Sequence, residues 1–122
     1  MTKQEFEKYS ELQVKFAEDV DRVTNFLGKI NNNLKYVTEY YLEDGTVFTH
    51  GWEYWSYGGE EEHHGSFDAE MLTWTDEQLQ QYIDKTLAER EAFALAEKKA
   101  QEKAKEEKER NEYERLKEKF GK

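Results

Sequence analysis

Glu39-Tyr40-Tyr41-Leu42-Glu43-Asp44-Gly45-Thr46-Val47-Phe48-Thr49-His50 is the stretch whose reading decides the fold. An Asp-Gly pair between runs of β-branched and aromatic residues is a strong hairpin signal, because both turn positions require a positive φ. Two antiparallel strands are therefore predicted over parts of residues 34–42 and 46–57. With Asp44 and Gly45 as the loop, Tyr41 faces Phe48, Glu39 faces His50 and Val37 faces Trp52. The opposite face carries Tyr36, Leu42, Val47 and Trp55. Both faces are rich in apolar residues, whereas a sheet with one solvated face alternates cleanly. One face must meet the helices; the other needs more protein, a ligand or a partner.

Before the hairpin, Thr2 and Glu5 form a capping-box pattern. Phe6, Tyr9, Leu12, Phe16, Val20, Val23, Leu27 and Ile30 follow at spacings of three or four. This predicts an amphipathic helix over 3–27 with one stripe facing a core, closed by Gly28 at positive φ and a turn at Asn31-Asn32-Asn33. After the hairpin, residues 58–65 (Gly58-Gly59-Glu60-Glu61-Glu62-His63-His64-Gly65) read as a loop by composition. Residues 66–72 are expected to give a short third strand. Thr75 with Gln78 repeats the capping pattern, and from Asp76 to about Phe120 neither Gly nor Pro interrupts the chain. Such a helix is about 65 Å long at ~1.5 Å per residue. Leu79, Tyr82, Ile83, Leu87 and Phe93 are core-type, but residues 105–112 contain no apolar side chain. The expected fold is α+β: an N-terminal amphipathic helix, an antiparallel hairpin or three-stranded sheet, and a long C-terminal helix projecting from the body. One domain is expected, with an acidic body at 1–96 and a charged helical extension at 97–122.

Composition narrows the function classes. Charged residues make up 38% of the 122 positions and the net charge is −10, yet aromatics reach 15%, so disorder is not the default. Residues 97–122 carry eight acids and ten bases, so the negative charge lies in the body, with twenty acids and eight bases. Such a body repels phosphate backbones, which disfavours direct nucleic-acid binding. There is no cysteine, excluding thiolate metal sites and Cys nucleophiles. The polar N-terminus does not resemble a signal peptide, and no apolar run is long enough for a bilayer. A soluble, cytoplasmic protein is expected.

No G-x-S-x-G, P-loop or G-x-G-x-x-G pattern is present, so a non-enzymatic role without catalytic residues or cofactor is expected. Glu60, Glu61, Glu62, His63 and His64, with His50, are metal-ligand types. Their spacing fits no helical zinc motif, and no metal site is assigned. His50 opposite Glu39 reads as a cross-strand contact. The aromatic run is more telling, because between Tyr36 and Trp74 there are nine acids and no Lys or Arg. Base stacking would want basic residues beside the rings. Most rings are expected in the core. Trp52, Trp55 and Tyr57 are expected to stay exposed as interface anchors, with Glu60, Glu61, Glu62, Asp68 and Glu70 supplying charge.

Short length, an acidic body, no cysteine or proline, many Tyr and Trp, and a Lys/Glu-rich end make the chain similar to small acidic accessory proteins of bacteriophages. Some of these block host defence systems by binding them. The resemblance implies an inhibitor acting in the host cytoplasm. The expected activity is protein binding: an acidic, aromatic face on the basic site of a nucleic-acid-handling protein, with carboxylates mimicking phosphates. The partner would be a protein with a basic surface, with no direct nucleic acid and no membrane. Two alternatives stay open: a homo-oligomer built through the long helix and the sheet face, and a small-molecule or metal-binding protein using the sheet and the 58–65 loop. Weak homo-oligomerisation is compatible with each.

Overall fold

In a computed structural model, which describes residues 1–120, the chain is α+β: a helix, a three-stranded antiparallel sheet and a long helix. α1 spans Lys3–Leu27. Its predicted capping box forms, with Thr2 Oγ1 accepting from the Glu5 N–H at 3.1 Å and the Glu5 carboxylate accepting from the Thr2 N–H at 3.4 Å. Val20, Val23 and Leu27 are buried, and Phe16 packs partly buried beside them. The stripe does not meet a core along its whole length. Phe6, Tyr9 and Leu12 are more than half exposed, because the core is built only against the C-terminal half of α1. Gly28 also departs from expectation: it stays right-handed (φ −59°), and its N–H continues the helical ladder to the Thr24 carbonyl at 2.8 Å.

The hairpin forms as its turn dictates. Asp44 (φ +48°) and Gly45 (φ +76°) are both left-handed, the geometry of a type I′ loop. β1, Glu39–Glu43, pairs with β2, Thr46–Tyr54, in the predicted register, Tyr41 opposite Phe48 and Glu39 opposite His50. As predicted, the strands occupy parts of these ranges, with β1 running one residue past Leu42. Asn32–Leu34 is a 3-10 turn, and the backbone at Tyr36 and Val37 then passes directly over Gly51 of β2. β2 ends at Tyr54, after which Trp55 and Gly59 close a small turn through a 2.8 Å backbone hydrogen bond.

The third strand corrects the sequence reading most. β3 is Glu60–Asp68, so residues 60–65 are strand rather than loop, and Ala69–Thr73 is a 3-10 turn rather than strand. β2 has nine residues and β3 pairs with all of them, from Thr46 with Asp68 to Tyr54 with Glu60. A loop at 60–65 would have left residues 49–54, six of the nine β2 positions, without that ladder, and backbone groups buried there require partners. The sheet order is β1-β2-β3.

α2 spans Asp76–Phe120 and opens with its own capping box, Thr75 with Gln78. Two compact units divide the chain, Met1–Lys85 and Thr86–Lys122. In the first, Val47 and Phe67 of the sheet, Leu34, and Leu79 of α2 close the core on Val20, Val23 and Leu27. Burying each such aliphatic side chain contributes roughly 1.5–3 kcal/mol. Arg22 fastens α1 to the start of α2, 3.0 Å from Asp76 and 3.2 Å from the Leu72 carbonyl oxygen. In the second unit residues 105–112 are exposed helix, as their lack of apolar side chains requires. Among the described residues no helix is long and apolar enough to cross a membrane.

Candidate binding face

Strand alternation sorts the sheet into two sides. Val47, Thr49 and Gly51 of β2, with His63 and Phe67 of β3, face the core. Tyr41, Phe48, His50, Trp52, Tyr54 and His64 project from the other side. These outer side chains find partners on the sheet itself. Tyr41 stacks on Phe48 with centroids 5.2 Å apart, Trp52 leans on His50 at 5.1 Å, and His50 stacks on His64 at 4.6 Å, almost parallel. Tyr41 is 57% exposed and Tyr54 72%, so the face is aromatic and open to a partner. Carboxylates border it: Glu39 opposite His50, Glu62 opposite Trp52, and Glu60 opposite Tyr54.

The eight residues singled out in the sequence do not share one surface. Trp52, Glu60, Glu62 and Asp68 lie on the outer side by strand alternation. Glu61 lies on the inner side, opposite Glu53. Trp55 is half exposed in the turn after β2 and bonds to the Glu53 carboxylate. Tyr57, at the turn's tip, is fully exposed. Asp68 and Glu70 serve the 3-10 turn, the Asp68 carboxylate accepting from the Glu70 N–H at 2.9 Å. Tyr41, Phe48, Tyr54, His50 and His64 were missed as members of the face. The hairpin register already placed Tyr41, Phe48 and His50 on one side; extending the ladder through residue 60 would have added His64.

No family model, curated protein or solved structure matches this chain.

On the inner side a second polar cluster is already satisfied. His63 is buried, with Nδ1 3.1 Å from Asn33 Oδ1 and Nε2 3.1 Å from Glu53 Oε2. Tyr36 stacks on the imidazole at 5.6 Å and its hydroxyl donates to Glu53 at 3.3 Å. His63, then the Trp55 and Tyr36 donors, hold the Glu53 carboxyl below the ordinary carboxylate range, outweighing partial desolvation. Both imidazole nitrogens are committed, so this cluster fixes the 31–37 segment to the sheet.

Around His50 the nitrogens are less well served. Glu62 Oε1 lies 2.6 Å from His50 Nε2 and 2.9 Å from His64 Nε2, and Glu39 Oε2 lies 3.6 Å from His50 Nδ1. Despite the 2.6 Å approach of Glu62, His50 Nε2 is buried without a contact of hydrogen-bond geometry.

Proposed function

We propose that this chain is a non-enzymatic binding protein whose outer sheet face docks on a basic, phosphate-binding surface of a nucleic-acid-handling protein, and so inhibits it by mimicry. The observation that carries the reading is the open aromatic face bordered by Glu39, Glu60 and Glu62. Charge supports the same occupant. The unit 1–85 has eighteen acids and seven bases, and no Lys or Arg occurs from Tyr36 to Asp84. Four of the seven bases lie on α1, which packs against the inner side of the sheet. A face of this sign attracts a basic groove over the screening length, about 10 Å at 0.1 M salt, while the rings anchor the contact once water leaves. Bacteriophage origin and an anti-defence role, implied by the resemblance to small acidic phage proteins, belong to this proposal.

Affinity capture on the immobilised full chain tests it, using bacterial lysate and duplex DNA as the displacing polyanion. Proteins held through a mimicked phosphate site are released by DNA, are not retained by the variant with Glu60→Lys and Glu62→Lys, and are still retained by Glu61→Lys, whose charge faces the other way. Retention indifferent to DNA, or abolished by Leu12→Asp on the exposed part of α1 while surviving the outer-face reversal, overturns the reading.

A further inference from the structure

Two histidines and a carboxylate converge on the outer face, and one of the imidazole nitrogens has no hydrogen-bond partner. His50 and His64 are direct cross-strand partners, their rings are 3° from parallel, and Glu62 stands two residues from His64 on the same side. Both Nε2 atoms approach the same Glu62 oxygen, and one ligand atom from each of the three residues lies within 4.8 Å of the others. Among the described residues, His50 Nε2 is the buried side-chain nitrogen with no hydrogen-bond partner. Glu39 sits behind the same ring, near Nδ1. At 3.6 Å the contact is longer than a hydrogen bond; closed by a few tenths of an ångström, this carboxylate would orient the imidazole and raise its basicity toward a metal on the other nitrogen.

From this geometry we infer that His50 Nε2, His64 Nε2 and Glu62 form a binding site for a divalent transition metal such as zinc. Two imidazoles and one carboxylate suit Zn²⁺, Ni²⁺, Cu²⁺ or Fe²⁺ and disfavour Mg²⁺ and Ca²⁺, which prefer all-oxygen sets. Metal–nitrogen and metal–oxygen bonds of about 2.0–2.2 Å need the donors roughly 3.3 Å apart, slightly more than the two nitrogen–oxygen distances here. Glu62 is 44% exposed and His64 69%, so both side chains can open by that amount without disturbing the core. Three protein ligands on a solvent-facing strand pair leave at least one position for water, as in an open zinc site. The inner Glu53–Glu61–His63 group offers the same residue types but not the same chemistry, because both His63 nitrogens are engaged and the ring is buried. The metal reading does not depend on the docking reading, since it concerns the isolated chain.

Zinc alone, titrated into the untagged, chelator-treated full chain, tests it by calorimetry and by side-chain ¹⁵N NMR of the three histidines. The expected result is saturable binding of one Zn²⁺, with the Nε2 signals of His50 and His64 shifting and those of His63 unmoved. His64→Gln and Glu62→Gln, both at exposed positions, each lower the affinity by at least about tenfold, and Glu61→Gln does not. Absence of saturable binding by the wild-type chain overturns the site. So does binding that shifts His63 instead, or that keeps its affinity in His64→Gln.

Discussion

Glu53 and His63 meet on the inner side of the sheet, where Asn33 holds the second imidazole nitrogen. Because His63 and the neighbouring donors keep the Glu53 carboxyl below its ordinary range, the folded chain binds fewer protons there than the unfolded chain does. That stabilisation is present above the unfolded value and is lost as pH falls through the lower, folded value. Glu53→Gln should therefore be less stable than wild type at neutral pH. The gap should close as pH falls through the ordinary glutamate range and then through the lower folded value. Urea unfolding of both proteins across this range measures it. A gap that stays constant with pH would show that the Glu53 charge does not contribute through this contact.

At the scale of elements, the joining of the 32–37 segment to the sheet rests on one missing side chain. A Cβ on Gly51 would land on the Tyr36 carbonyl, backbone against backbone, with no flexible group to yield. Gly51→Ala should cost at least about 1–3 kcal/mol, the usual scale of overpacking, read from urea midpoints. A neutral effect would mean that the segment does not lie on the sheet. Much of this layer was legible beforehand, and the failures have specific causes. Both helices and the hairpin register followed from local signals: two capping boxes, a 3.6-residue stripe and an Asp-Gly turn. β3 was missed at residues 60–65 because three glutamates, two histidines and flanking glycines imitate a loop, while the force that makes them strand is the long ladder of β2. The composition of residues 34–37 resembles strand, although Leu34 closes a 3-10 turn and the backbone at Tyr36 and Val37 crosses over Gly51. That glycine, amid bulky neighbours, was the available sign. The N-terminal half of the α1 stripe was assigned to a core because periodicity shows a face but not what covers it.

For the whole molecule, the same distinction separates the candidate site from the fold. Aromatic residues with acids and without bases between Tyr36 and Trp74 were visible in the sequence, and they located the site on the sheet. Which carboxylates act together depends on strand alternation, which splits Glu60 and Glu62 from Glu61 once β3 is formed. The account therefore stands or falls on whether the outer side, as a charged surface, governs association. The most direct measurement is the association rate of the full chain with a DNA-displaceable partner, taken from about 0.05 to about 0.5 M salt. Wild type should associate progressively more slowly as salt rises. The Glu60→Lys, Glu62→Lys variant should be slow at low salt and nearly insensitive to it, and Glu61→Lys should follow wild type closely. Equal salt dependence in all three proteins would contradict the account, because the outer carboxylates would then play no part in recognition.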